Sequence, residues 1–295
     1  MIVDVHTHTP THRGAVPPDE LVVNHTWRPD RPVHATTTWA DHDAAQREGG
    51  VDVSLVFNIA VRQPRDATGL PSAPDINLAT AEFARGDPAR RIGFLSVDPE
   101  DAGAMDELDR CVGDLGLRGI KLGPNYQGFE PLGAAARRVY GYAESRGLPI
   151  VFHQGTSPIR EAPLRYAHPL VMDEIAIAFP QLRVVMAHLG HPWQADTIAV
   201  IRKQPNVYAD VSAGFYRPWS FYGAMRLATE WNVLDKLLLG SDFPIATARE
   251  TIDGLRAVNA QLAGTGMPRV PDDAVEAIIE RDALAALQLD PPAGS

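Results

Sequence analysis

The feature that most restricts the fold of this 295-residue chain is a regular alternation of short apolar runs with helical stretches. Strands that alternate with helices indicate a parallel sheet, and continuous apolar runs are typical of strands covered on both faces. Eight such units predict an α/β fold, a closed (β/α)8 TIM barrel in which residues 1–295 form a single domain with long βα loops. The runs that we predict as strands cover residues 2–8, 53–58, 92–97, 117–122, 149–153, 182–188, 206–212 and 236–242.

The intervening stretches predict helices and loops. An open, doubly wound sheet is the alternative to the barrel, but we find no GxGxxG turn after a strand. Helices are predicted over 38–48, 75–85, 100–112, 132–146, 169–179, 194–203, 222–232, 249–261 and 271–287. A long proline-rich segment, 9–37, follows the first strand, and loops of this length are usually functional or disordered.

Composition describes an ordinary globular enzyme. Hydrophobic residues make up 45% of the chain, and 37 acidic against 27 basic residues give a net charge of −10, which disfavours nucleic acid or an anionic membrane as the main partner. The single cysteine, Cys111, excludes an intrachain disulfide. The N-terminus has no basic and apolar leader, and no apolar run is long enough to span a bilayer. We therefore expect a cytoplasmic enzyme that acts on a small molecule.

The first strand ends in a pair of histidines, His6 and His8. Alternation along a strand places Asp4, His6 and His8 on one face. Imidazoles two residues apart lie about 7 Å apart along the strand, so both can reach one metal ion. The alternative is that both histidines are surface residues near a strand end, and the motif alone does not decide.

Other strands also end in polar residues with ligand chemistry. In a barrel, the carboxyl ends of the strands converge on one mouth, where the active site is built. Three histidines and a carboxylate suit a zinc-like ion and leave room for a water, whose pKa such an ion lowers to about 7. The residues at these ends are His6, His8, Lys121, His153, His188 and Asp242.

The motifs that carry these residues resemble the amidohydrolase superfamily. They are His6-Thr7-His8, Val151-Phe152-His153, Met186-Ala187-His188-Leu189-Gly190 and Gly240-Ser241-Asp242-Phe243-Pro244. The chain is most similar to amidohydrolase family 2, which includes the aminocarboxymuconate-semialdehyde and resorcylate decarboxylases. The resemblance implies a barrel that binds one divalent metal, usually zinc and sometimes manganese. It implies His6, His8, His153 and Asp242 as ligands, and His188 beside the metal as a catalytic residue that handles protons or orients the substrate.

Each of these residues has a less specific interpretation. His153 could be a packed core histidine, and Asp242 could cap a following helix. Lys121 resembles a lysine that is carbamylated and bridges two metals in some binuclear members, but it could instead bind a substrate carboxylate or extend from the rim. Asp210 and Ser212 at the end of the seventh strand are expected to support the site.

Substrate recognition is predicted to come from the loops. A carboxylate substrate needs a cation, and the candidates near the mouth are Lys121, Arg62, Arg160, Arg165 and Arg217, with His191 in the loop after the sixth strand. An aromatic wall could come from Trp193, Tyr216, Trp219 and Phe221.

Two reactions fit the same ligand set. The first hypothesis is a hydrolase of a C–O or C–N bond in a lactone, ester or amide, in which Asp242 takes a proton from activated water and returns it to the leaving group. The second is a non-oxidative decarboxylase of an aromatic or enoic acid, in which Asp242 or His188 protonates carbon. The third is a metal-binding barrel without activity. The forms His153-Gln154-Gly155 and His188-Leu189-Gly190-His191 differ from those that we associate with the decarboxylases, which favours the hydrolase. Resemblance to the family also predicts a homo-oligomer, a dimer with Gly214–Tyr222 as a contact surface.

Overall fold

The strands of the barrel follow each other in chain order. The computed structural model describes residues 1–16, 28–60 and 73–292. Within these ranges the parallel strands each lead into a segment that returns to the start of the next one. They are β1 (Val3–His8), β2 (Val53–Phe57), β3 (Arg91–Gly93), β4 (Ile120–Leu122), β5 (Ile150–Phe152), β6 (Val184–Met186), β7 (Val207–Asp210) and β8 (Leu237–Leu238).

The strands form two parallel sheets, β1–β3 and β4–β8, that join at both edges. Leu95 just after β3 pairs with Ile120 of β4, and Thr7 of β1 pairs with Phe243 just after β8. The amide of Val5 also donates to the carbonyl of Leu239 at 3.0 Å. Because both joins are parallel and in order, the barrel closes, and the predicted TIM barrel is confirmed.

Helices cover the outside of the barrel. The last predicted helix, 271–287, is two helices, because the side chain of Asp282 accepts a hydrogen bond from the amide of Ala285 and starts a new helix there. A short helix after β4 was not predicted. The helices are α1 (Trp39–Glu48), α2 (Ala73–Gly86), α3 (Ala104–Gly113), α4 (Pro124–Gln127), α5 (Ala134–Ser145), α6 (Leu170–Ala178), α7 (Gln194–Lys203), α8 (Pro218–Glu230), α9 (Ala248–Arg256), α10 (Asp272–Ile279) and α11 (Ala283–Leu287).

The apolar core of the barrel is separate from the polar residues at its mouth. Val3 and Val5 are buried and belong to one cluster with Leu284 and Leu287 of α11. Full burial of an aliphatic side chain of this size stabilises a fold by about 1.5–3 kcal/mol. The stability of the barrel therefore comes from apolar packing of this kind and not from the polar residues at the strand ends. None of the helices in the described part of the chain is long and apolar enough to cross a membrane.

Candidate metal centre

The first strand brings its two histidines to the mouth, but not Asp4. The ring centroids of His6 and His8 are 5.6 Å apart. The pairing of β1 with β2 shifts register between Asp4 and Thr7. The wholly buried Asp4 carboxylate accepts hydrogen bonds from the amides of Ser241, at 2.9 Å, and His6, at 3.1 Å. Burial raises the pKa of Asp4 to about 6. Asp4 therefore ties β1 to the loop after β8 and does not join the histidines.

Strands β5 and β6 bring two further histidines to the same centre. The ring centroids of His153 and His188 are 5.1 Å apart, and that of His188 is 4.9 Å from His6. The Nε2 atom of His153 is buried and has no hydrogen-bond partner among the described residues. A buried nitrogen without a partner is costly in a packed core. The packed-core interpretation of His153 is thus disfavoured.

Asp242 completes the cluster from the end of β8. Its Oδ1 atom lies 3.3 Å from Nε2 of His6 and 3.2 Å from Nε2 of His8. Its backbone is in the left-handed region, with φ at 64°, which aspartate tolerates better than most residues. The interpretation of Asp242 as a helix cap is wrong, since α9 begins at Ala248 and is capped by Thr247.

Each of the four histidine rings makes a hydrogen bond that fixes its orientation. Their partners are Asp210 Oδ2 for His6 Nδ1 at 2.8 Å, Asn58 Oδ1 for His8 Nδ1 at 3.1 Å, Ser212 Oγ for His188 Nδ1 at 2.7 Å, and the Thr156 backbone for the His153 ring. A carboxylate oxygen only accepts, and the amide nitrogen of Asn58 already donates to the carbonyl of Thr9. His6 and His8 therefore carry their protons on Nδ1.

This arrangement turns acceptors towards each other. With Nδ1 protonated, the neutral ring of His6 or His8 presents a lone pair at Nε2, and Oδ1 of Asp242 presents another. Acceptors at this separation repel one another, and the Nζ atom of Lys121, 3.3 Å from Nε2 of His6, offsets part of this repulsion. Nε2-type nitrogens and a carboxylate are also the ligands that zinc prefers. These potential ligand atoms thus fit a divalent metal.

The most compact group of candidate ligands overlaps only in part with the predicted set. The ligand atoms of His6, His188 and Asp242 all lie within 4.8 Å of one another. His188 was predicted beside the metal, and the structure places its ring among the potential ligands. His8 and His153 reach the same centre through the contacts given above.

Burial favours the neutral form of His6, His153 and His188. It lowers the pKa of His6 and His188 well below the usual value, with neighbouring charges adding to the effect. Burial, together with the charge of Lys121, lowers the pKa of His153 to about 3. Metal ligation requires neutral imidazole, so these shifts prepare the site for an ion.

Lys121 lies inside the site. It is wholly buried, and its Nζ atom is 3.3 Å from Nε2 of His6 and 4.6 Å from the ring centroid of Phe57. The interpretation of Lys121 as a side chain that extends from the rim is therefore wrong. Burial lowers its pKa to about 8, against the opposing charges of Asp210 and Asp242.

The predicted substrate contacts divide into three groups. His191 and Arg217 are half-buried. Burial lowers the pKa of His191 to about 4, and the nearby charge of Arg217 adds to this effect. Arg160 and Arg165 are exposed, and Arg165 stacks on the ring of Tyr166. Arg62 lies outside the described residues.

Aromatic residues at the mouth were only partly anticipated. Tyr216 is buried, and burial with the charge of Asp242 raises its pKa to about 12. Tyr126 was missed; it lies in α4, the short helix after β4, and its ring centroid is 4.5 Å from that of His153. Of the other predicted wall residues, Trp193 packs on His168, Trp219 is exposed and Phe221 is buried.

Comparisons with known proteins identify the family and support the barrel fold. A family model described as Amidohydrolase matches residues 3–289. No curated protein matches the chain. Among solved structures, the chain is similar to an uncharacterized TIM-barrel protein from Bordetella bronchiseptica, with 21% identity and a TM-score of 0.66 over 97% of this chain and 99% of that one.

Two further solved structures are named for different reactions. One is a dihydroxybenzoic acid decarboxylase from Polaromonas sp. with bound manganese and the inhibitor 2-nitroresorcinol, with 17% identity and a TM-score of 0.65 over 97% of this chain and 96% of that one. The other is a probable 2-pyrone-4,6-dicarboxylic acid hydrolase from Acinetobacter baumannii with citric acid bound, with 16% identity and a TM-score of 0.62 over 98% and 99%. At these identities the likeness shows the barrel fold and leaves the reaction open.

Proposed function

The chain belongs to the amidohydrolase family, and from this membership we propose that it is a metal-dependent hydrolase of a C–O or C–N bond in a small molecule, such as a lactone, ester or amide. The observation that carries the proposal is the convergence of Asp242 Oδ1 with the Nε2 atoms of His6 and His8 at 3.2–3.3 Å. These acceptors call for a cation.

The residues that would hold the ion are His6, His8, His153 and Asp242, with the ring of His188 at the same centre. Zinc is the ion that this set favours, and manganese is the alternative because one structural neighbour binds it. When bound, such an ion supplies Lewis-acid activation of water and of a carbonyl oxygen.

Proton handling falls to Asp242 and His188. The carboxylate of Asp242 takes a proton from the attacking water and returns it to the leaving group. His188 is bonded through Nδ1 to Ser212, so its Nε2 atom faces the centre as a second acceptor. Burial raises the pKa of Asp242, which suits a group that takes up a proton and releases it again. The preference for hydrolysis over decarboxylation comes from the forms His153-Gln154-Gly155 and His188-Leu189-Gly190-His191.

The substrate proposed for this site carries a carboxylate. Arg217 and His191 come from the loops after β7 and β6, and the charge of Arg217 is close enough to contribute, after burial, to lowering the pKa of His191. Lys121 supplies a further cationic group deeper in the site. Together they would offset the negative charge of an anionic substrate within an acidic protein.

An assay of bond cleavage tests the proposal. The protein is purified, stripped with a chelator and reloaded with zinc or manganese, and then incubated with panels of lactones, esters, amides and hydroxybenzoates. Metal-dependent release of acid without CO2 is the expected result. Metal-dependent release of CO2 from a hydroxybenzoate would assign the decarboxylase instead. Full metal loading with neither product across the panels would favour a barrel that binds metal without either reaction.

A further inference from the structure

We infer that Asp210 is the positioning residue that fixes the tautomers of two histidines of the site, His6 directly and His188 through Ser212. The inference rests on the proposed metal centre, but it does not depend on which reaction that centre carries out. Asp210 ends β7 and is wholly buried, so its interactions are not shared with solvent.

Four donors converge on the Asp210 carboxylate. Its Oδ1 atom accepts from the backbone amides of His188 and Ser212, each at 3.0 Å, and from the hydroxyl of Ser212. Its Oδ2 atom lies 2.8 Å from Nδ1 of His6. Because the backbone amides are fixed donors, the orientation of the carboxylate is set, and Oδ2 remains for His6.

The tautomer of His188 follows by counting protons. The hydroxyl of Ser212 has one proton, and it is donated to Asp210. Nδ1 of His188 is 2.7 Å from the same hydroxyl oxygen, which is left as an acceptor. Nδ1 of His188 must therefore carry the proton, and Nε2 is left with its lone pair. Asp210 reaches His188 through this serine in the way that it reaches His6 directly.

A glycine allows this contact. Gly240 follows β8, and a Cβ atom built there would lie 3.0 Å from Cβ of His6 and 3.1 Å from Cβ of Asp210. Contacts this short require one of the two side chains to move. The close approach of β8 to the His6–Asp210 pair thus depends on the missing side chain at position 240.

The test uses tautomer-sensitive nitrogen resonances of the full chain after removal of metal by chelation, with assignment by His6→Gln and His188→Gln. In the wild type, both histidines are expected to be neutral with the proton on Nδ1. Asp210→Asn keeps the shape but turns an amide donor towards His6, because the remaining oxygen faces three donors. The His6 resonance should then change to the Nε2-protonated form, and zinc affinity should fall about 10–100-fold.

A serine pair separates positioning from packing. Ser212→Ala should release His188 from its tautomer and leave His6 unchanged, whereas Ser212→Thr keeps the hydroxyl and should restore the wild-type His188 signal. Ser54→Ala is the matched control, since Ser54 is a buried serine of β2, and it should change neither resonance.

The outcomes of the test are distinct. If either histidine of the wild type carries its proton on Nε2, or if Asp210→Asn leaves His6 unchanged, the positioning role is refuted whatever the metal content. If the tautomers behave as expected but no divalent ion binds, the proposed function fails and the assignment of Asp210 stands.

Discussion

Replacement of Asp242 by asparagine separates metal binding from proton transfer. The Oδ1 atom of Asp242 is 3.2–3.3 Å from two histidine nitrogens, and asparagine is nearly isosteric, so it can place an amide oxygen at the same point. Asparagine also tolerates the left-handed backbone at this position, where φ is 64°. We therefore expect Asp242→Asn to fold normally and to retain much of its metal through the histidines.

The chemical step is expected to respond differently, because an amide cannot take up a proton at neutral pH. Loss of a positioned acid–base group lowers turnover by about 10²–10⁴-fold. Since each factor of ten corresponds to 1.36 kcal/mol, the barrier should rise by about 3–5 kcal/mol.

The assay compares kcat at equal metal content, measured by elemental analysis of each preparation. Asp235→Asn makes the same change of charge at an exposed position, and it should retain wild-type turnover. If Asp242→Asn stays within a few-fold of the wild type, Asp242 is not the proton carrier, and His188 remains as the candidate.

Four other predictions follow from the structure. His6→Ala with His8→Ala should abolish metal binding but leave the thermal midpoint of the metal-free protein near that of the wild type, as measured by calorimetry. Elemental analysis should give about one divalent ion per chain; two ions, lost together in Lys121→Met, would instead indicate a carbamylated bridge. Because burial lowers the pKa of His153 to about 3, the metal-free fold should lose stability as pH falls from about 6.5 towards 3, where the unfolded chain binds the extra proton; urea unfolding of His153→Asn should show a weaker dependence. Light scattering should show a dimer that weakens in Trp219→Ser, since Trp219 is the exposed aromatic of the predicted contact surface, and a wild-type monomer at micromolar concentration would contradict this.

Hydrophobic periodicity in the sequence was sufficient to predict the strands of the barrel, but it did not predict the break in the closing helix. Apolar runs separated by helical stretches identify strands because both faces of a barrel strand are covered. The closing helix was predicted as one element, since the apolar residues on either side of 280–282 keep a helical spacing. Arg281 there donates to the carbonyl of Leu237, and Asp282 starts a new helix. A contact of this kind with β8 cannot be recognised from hydrophobic periodicity.

The residues of the candidate site were likewise predicted only in part. The strand-end rule placed His6, His153 and Asp242 at one mouth, because parallel strands in a barrel share a C-terminal end. It did not identify Asn58 as a partner of His8, since that contact depends on the pairing of β1 with β2. The helix start at Thr247 was readable in advance, because Thr247 and Glu250 have the spacing of a capping box. That signal would have removed the interpretation of Asp242 as a cap.

The anchoring of the histidines separates the candidate metal centre from the loops that are predicted to contact the substrate. Partners on β7 and after β2 hold His6 and His8 from behind, so the orientation of the rings is a property of the frame and not of the substrate. The loops are free to vary without disturbing it. In this chain the phenol of Tyr216 is close enough for the charge of Asp242 to raise its pKa beyond the effect of burial, and Arg217 stacks on the Tyr216 ring, 4.8 Å from its centroid. A cation separated from the base by one side chain suits a carbonyl substrate with a carboxylate set apart from the bond that breaks. A decarboxylase would need the carboxylate itself at the centre, so we expect the position of the substrate carboxylate relative to Arg217 to distinguish the two reactions.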